Sequence, residues 1–268
     1  MFAGLSLAAE ASSSTALGGL LNRLDRTAQL YGERARSFTC EETIRWDKKG
    51  ETGRRKFGYV VVLDENENFD DYRTHLRRGK ALAAPSRVKP EDFSVPAYLR
   101  SAYLWVFIFR RDRWPFHHYE IAGEEKLFGR SAVVIRFEPV PPHKEIINYW
   151  YGSAWVDRET AQLLKVVAHR PEDHEEMRRI ERHRAGEAVS DWIYFVEEIS
   201  TEFKIVERGM RFPSRVELRQ VNYDFMRGLS DWNSQERTTL WVYQTYDECR
   251  FFEVESDATI EAGSTKEK

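Results

Sequence analysis

The densest set of residues able to do chemistry is His169, Glu172, Asp173, His174, Glu175 and Glu176. Imidazole and carboxylate donors this close together can hold zinc or a harder divalent ion. The same stretch carries Arg178, Arg179, Arg182 and Arg184, which compete for those carboxylates and mark a solvated charged face. No metal is assigned to it. A second cluster, His117-His118-Tyr119-Glu120, contains an acid–base pair. Neighbours on a strand point to opposite faces, so the two imidazoles cannot readily converge on one atom. The chain contains no Gly-x-Ser-x-Gly elbow and no glycine-rich phosphate loop. Asp157, ahead of Arg158-Glu159-Thr160, reads as a turn former whose carboxylate accepts backbone N–H bonds. These residues call for no catalytic group, no metal and no organic cofactor.

The aromatic side chains carry the functional expectation instead. Trp46, Tyr59, Trp105, Phe109, Trp150 and Trp155 fall on segments that read as strands or as an apolar helix. Apolar ligand cavities are lined by such residues with few polar groups, so several of the six are expected to line a cavity. The alternative is that they form a filled core.

Composition narrows the partners. The 268 residues carry a net charge of −3, from 41 basic and 44 acidic side chains interleaved along the chain. That balance lacks the positive footprint of nucleic-acid binding. No run approaches the ~20 apolar residues that span a bilayer, so the chain is not read as an integral membrane protein. Phe2 to Ala9 is small and apolar and leads into a serine run, with a small-x-small pair at Ala9 and Ala11, like the tail of a secretory signal. Without a positively charged start, it is either a truncated signal or a disordered leader over residues 1–15. The two cysteines, Cys40 and Cys249, would pair in an exported protein and stay as buried thiols in a cytosolic one.

The elements that must position these residues follow from periodicity. Leu17, Leu20, Leu21, Leu24, Ala28 and Tyr31 recur at helical spacing within 16–36, with Ser14 or Thr15 as the cap. Period two then takes over: Phe38, Cys40, Glu42, Ile44 and Trp46 share one face, followed by Phe57, Tyr59, Val61 and Leu63 after a glycine-rich turn. Pro96 opens a second helix, apolar nearly all round, through Phe109. Further strands are expected at 117–121, 125–128, 132–139, 148–157, 162–169, 191–207, 211–224 and 236–254. The charged segment 171–187 reads as a short solvated helix or a long hairpin loop, and residues 256–268 as a flexible tail. About ten strands and two helices predict a mainly β (α+β) domain over 16–255. Its sheet would be large, curved and antiparallel, with both helices as a lid on the concave face. Were the strands a simple meander, a Cys40–Cys249 bond would require the sheet to close.

Four segments resemble exported bacterial proteins with a lipoprotein-sorting-like (LolA-like) half-barrel. They are the helix running into Phe38-Thr39-Cys40-Glu41-Glu42, the hairpin Gly152-Ser153-Ala154-Trp155-Val156-Asp157-Arg158-Glu159-Thr160 followed by Leu163-Leu164-Lys165-Val166, the strand entry Gly209-Met210-Arg211-Phe212-Pro213-Ser214-Arg215-Val216, and the closing strand Tyr243 to Phe251. The resemblance spans most of 17–255. It implies a periplasmic or otherwise exported, non-enzymatic binding or carrier protein. The ligand would be lipid-like or an acyl chain, driven by about 0.8 kcal/mol per buried methylene. The alternative it leaves open is an envelope interaction module with a filled core and a protein partner.

Overall fold

The structure, a computed structural model, describes residues 3–63, 69–77, 80–81, 97–140, 150–170, 173–186, 193–226 and 233–251. Pro96, expected to open the second helix, and the tail 256–268 lie outside them.

The leucine stripe folds as anticipated. Helix α1 (Ala3–Arg34) buries Leu20, Leu21, Leu24, Ala28 and Tyr31. It begins at Ala3, so Ser14 and Thr15 are interior to the helix and not at its cap. The period-two pattern gives β1 (Ser37–Lys48) and β2 (Glu51–Leu63), joined by a tight turn at Lys49-Gly50. Strands β3 (Phe69–Arg77) and β4 (Lys80–Ala81) follow.

The second helix is not an α-helix. Ala97–Phe107 and Arg111–Phe116 are 3-10 helices. A repeat of three aligns Tyr103, Val106 and Phe109 in one row and Ala102 and Trp105 in the next, all buried. Leu104, Phe107 and Arg110 form the third, half-buried row. A segment apolar on most sides can bury one row and most of a second this way, with Ile108 of the second row half-buried, and Pro115 sits inside the second 3-10 helix.

The remaining strands are β5 (His117–Leu127), β6 (Arg130–Pro139), β7 (Tyr151–Asp157), β8 (Leu163–His169), β9 (Ile193–Glu202), β10 (Ile205–Glu207), β11 (Met210–Phe212), β12 (Arg215–Met226) and β13 (Asn233–Phe251). Two strands expected between 117 and 128 are one strand, β5, with a bulge between Ile121 and Gly123. The single strand expected over 191–207 breaks into β9 and β10. The latter forms a small hairpin with β11 through Arg208-Gly209, both at positive φ. The charged segment contains α2 (His174–Arg184).

One antiparallel sheet runs β4-β3-β2-β1-β13-β12-β9-β8-β7-β6-β5 and is open. Cys40 and Cys249 are disulfide-bonded across 209 residues of sequence. The closure condition attached to that bond does not hold, because the strands do not meander from edge to edge. From β4 at one edge the chain resumes at the opposite edge with β5, then works inward until β13 lies beside β1. First and last long strands thus meet inside an open sheet.

Strand register defines two faces. Phe38, Cys40, Glu42, Ile44 and Trp46 of β1 share the inner face with Phe57, Tyr59 and Val61, with Asp71 and Arg73, and with Val242, Gln244 and Tyr246. Helix α1 and both 3-10 helices pack on this face, as the single-sided lid predicted. Helix α2 packs on the outer face, where Ile180 meets Tyr194 and Val196.

Candidate functional site

The inner face divides into an aromatic layer and a polar layer. In the first, Trp105 packs on Trp150 and Phe137 at 5.9 and 6.4 Å between centroids. Phe109 packs on Tyr119 and Phe137 at 5.5 and 6.2 Å. Further along, Tyr103 stacks on Phe212 at 5.8 Å and meets Phe38 edge-on at 5.0 Å. Phe57, Phe109, Phe137 and Phe212 are each 0% exposed. A void wide enough for an acyl chain would leave exposed surface on the rings that line it, so none lies against these four rings. Polar tips pin the helical layer down. The Tyr119 hydroxyl donates to the Ile108 carbonyl at 2.8 Å, and the Tyr103 hydroxyl to the Ala35 carbonyl at 2.8 Å. The Arg111 backbone N–H donates to Asp25 at 2.9 Å.

The six aromatic residues singled out from sequence do not form one wall. Trp105, Phe109 and Trp150 come together. Tyr59 lies on the same face but in the polar layer, and Trp46, half-buried, lies across Gly53 of β2. A Cβ at position 53 would fall inside the indole ring, so only glycine fits there. Trp155 is on the outer face, between Val134 and Lys165 of the neighbouring strands.

Apart from Tyr59, the polar layer was not among the expected site residues. Arg73 donates from Nε and Nη2 to both oxygens of Glu42, at 2.6 and 2.9 Å, and from Nη1 to Asp71 at 2.5 Å. Gln244 donates to Glu42 from β13. The guanidinium lies 4.5 Å from the centre of the Tyr59 ring, which packs on Tyr246. All of these side chains are buried. Burial works against the Arg73 charge, but the Glu42 carboxylate outweighs it and pushes the guanidinium pKa up. Burial likewise pushes the Tyr59 and Tyr246 hydroxyls well above the ordinary phenol range. With two carboxylates already on the fork, Arg73 ties β1 to β3 and is not presented to a phosphate or carboxylate ligand. The signal was in the sequence: Glu42 falls on the apolar face of β1, where a carboxylate needs a buried partner.

The clusters read first are also absorbed by structure. Asp173 accepts from Arg170 at 3.0 Å and from the Glu197 backbone N–H at 2.7 Å, filling both its oxygens. Glu175 pairs with Arg179, and His169 turns toward Glu198. Glu172 and the His174 side chain lie outside the described residues. Among the described residues no three metal-binding side chains come together. His117 is buried on the inner face and His118 is exposed on the other, so they do not converge. Asp157 caps its turn as read, accepting from the Glu159 and Thr160 N–H groups at 2.9 and 3.2 Å and from Arg130. Burial would raise its pKa, but these donors outweigh burial and hold the carboxyl below its usual range. Beside it an open cavity of about 360 Å³ is lined by Gly129, Arg130, Ser131, Asp157, Arg158 and Glu159. Its arginines are engaged by Asp157, Glu159 and Glu124.

The outer face presents aromatic rings with cations over them. Trp241 and Tyr243 stack at 5.4 Å, with the Arg215 guanidinium 4.4 Å from the Tyr243 centroid. The Trp241 indole donates to Glu217 at 2.9 Å. Trp155, half-buried, has Lys165 at 5.2 Å from its ring and donates to Glu125. Among the described residues, no helix is long and apolar enough to cross a membrane.

No family model matches the chain, and no curated protein does. Solved structures do. One is a DUF1329 family protein from Desulfovibrio piger, at 13% identity and a TM-score of 0.45, covering 93% of this chain and 98% of that one. A putative outer membrane lipoprotein-sorting protein domain from Vibrio parahaemolyticus matches at 12% identity and a TM-score of 0.42, covering 85% and 93%. A LolA superfamily protein from Nitrosomonas europaea matches at 9% identity and a TM-score of 0.38, covering 88% and 94%.

Proposed function

We propose that the chain is an exported, non-enzymatic binding protein that acts by surface contact with a protein partner in the cell envelope. The observation that carries this reading is the contrast between the two faces. Most inner rings are buried, with Phe109, Phe137 and Phe212 at 0% exposure and Trp105 at 9%, while Trp155, Trp241 and Tyr243 on the outer face are half-buried, with Lys165 and Arg215 against them. Trp, Tyr and Arg dominate the energetics of protein interfaces. The disulfide supports an oxidising compartment. The saturation of Glu42, Asp157 and Asp173 by structural hydrogen bonds supports a role other than catalysis.

A photo-crosslinking residue at Arg219, next to Trp241 on the outer face, tests this in intact envelopes. The reading expects a discrete protein adduct that Trp241→Ala abolishes. Adducts to lipid alone, or none, would sink it.

One observation favours a second reading, the carrier for a lipid-like or acylated ligand. The layer over Trp105 and Phe109 is 3-10 helix, whose hydrogen bonds are poorer than those of an α-helix. Such a layer is the part of the inner face best suited to being displaced by an acyl chain.

A further inference from the structure

We propose that the Cys40–Cys249 disulfide is a thiol-operated latch on the end of β13, and that a dithiol reductant releases it to uncover the aromatic cluster beneath. Among the described residues, few backbone pairs hold that end. Eight consecutive pairs, from Lys48↔Leu240 to Glu41↔Asp247, zip β1 to β13. The register then shifts, with Glu248 at a φ of 52°, and two pairs remain, Thr39↔Arg250 and Phe38↔Phe251. The disulfide sits at that interruption. On the other side of β13 the ladder with β12 starts at Arg215↔Thr245, and a single backbone bond from Tyr246 to Ser214 extends it. Past Tyr246, therefore, the described strand is laddered on one side only.

Beneath this end lies a ring cluster. Phe251 packs on Phe212 at 4.6 Å and on Phe38 at 6.2 Å, with Arg208 5.8 Å from its centroid. Phe38 and Phe212 continue into Tyr103 and Tyr31. Release of Phe251 would open the edge of this layer and give the reduced protein an apolar surface that the oxidised protein covers.

The chemistry has a direction. Cys40 is 4% exposed, and Cys249 is half-buried, the more accessible of the two. A thiolate of the dithiol attacks the Cys249 sulfur, the S–S bond breaks, and Cys40 leaves as thiolate. The second thiol of the reductant then attacks the mixed disulfide and frees Cys249. Two electrons pass from the dithiol, which becomes a disulfide, and its two protons end on Cys40 and Cys249.

Amide hydrogen exchange on the folded protein, oxidised and after dithiothreitol, tests the latch. Exchange at 248–251 and 38–39 should rise at least about tenfold on reduction, while the amides of Glu42–Trp46 and Val242–Tyr246 keep their protection. Binding of an apolar dye should rise in parallel. The Cys40→Ser/Cys249→Ser double variant should behave as the reduced protein. If that variant fails to fold, reduction of the folded wild-type chain still decides the matter. Unchanged exchange at 248–251, loss of protection across the whole sheet, or a bond that resists dithiothreitol in the folded protein would each overturn the proposal.

Discussion

Arg73 holds Glu42 and Asp71 in a place where water cannot help. Removing one member of such a set leaves buried charge uncompensated, so Arg73→Ala should cost about 3–5 kcal/mol in urea unfolding. Replacing all three by apolar residues of similar volume (Glu42→Leu, Asp71→Leu, Arg73→Met) should be neutral or stabilising, because the desolvation cost leaves with the charges. A single and a triple variant with equal losses would contradict the clamp. Asp157 is the second residue with a testable role. Its folded pKa lies below the unfolded one, so its contribution is complete above about pH 4 and is lost as pH falls toward the folded value. Asp157→Asn should lower stability by about 1–3 kcal/mol at neutral pH and flatten the acid limb of the stability curve. An acid limb identical to wild type would assign that limb to other groups.

Among the elements, α1 is held by its leucine stripe. Leu24, 3% exposed, lies in that stripe, so Leu24→Ala should cost about 2–5 kcal/mol in thermal or urea unfolding. Strands β5 and β8 each contribute a histidine kept neutral by burial, His117 and His169, both below the ordinary imidazole range. Since the unfolded chain takes up those protons first, their contribution is complete above about pH 6.5 and lost as pH falls through the folded values. Melting temperature should drop between about pH 7 and pH 5, and less steeply in His117→Gln/His169→Gln. Elements were the level most legible in the sequence. The leucine stripe gave α1, and Asp157 with its turn gave the β7–β8 hairpin, because each signal is local. The apolar segment after Pro96 announced burial on several sides but not its hydrogen-bond pattern, and a three-residue repeat hides inside an apolar run. Glu42 stood visibly among Phe38, Cys40 and Ile44. Its partner Arg73 lies 31 residues away on a strand whose neighbour no local pattern names.

At the scale of the molecule, sequence order and sheet order part company. Strand β1 lies between β2 and β13, and that adjacency depends on pairing across some 200 residues, which periodicity cannot express. The same topology separates the six aromatic residues. A list drawn from strand-like segments carries no information on which face of the finished sheet each occupies, so Trp155 falls outside and Trp105, Phe109 and Trp150 fall inside. The protein is expected to act through its surface, with no lipid held against the inner face. Native mass spectrometry of the protein purified from an envelope fraction, with an organic extract of the same sample, tests it most directly. A single apo mass, an extract free of stoichiometric lipid and no uptake of added fatty acid are the predicted result. A co-purifying acyl lipid at near one-to-one ratio would contradict action through the surface alone and favour the carrier.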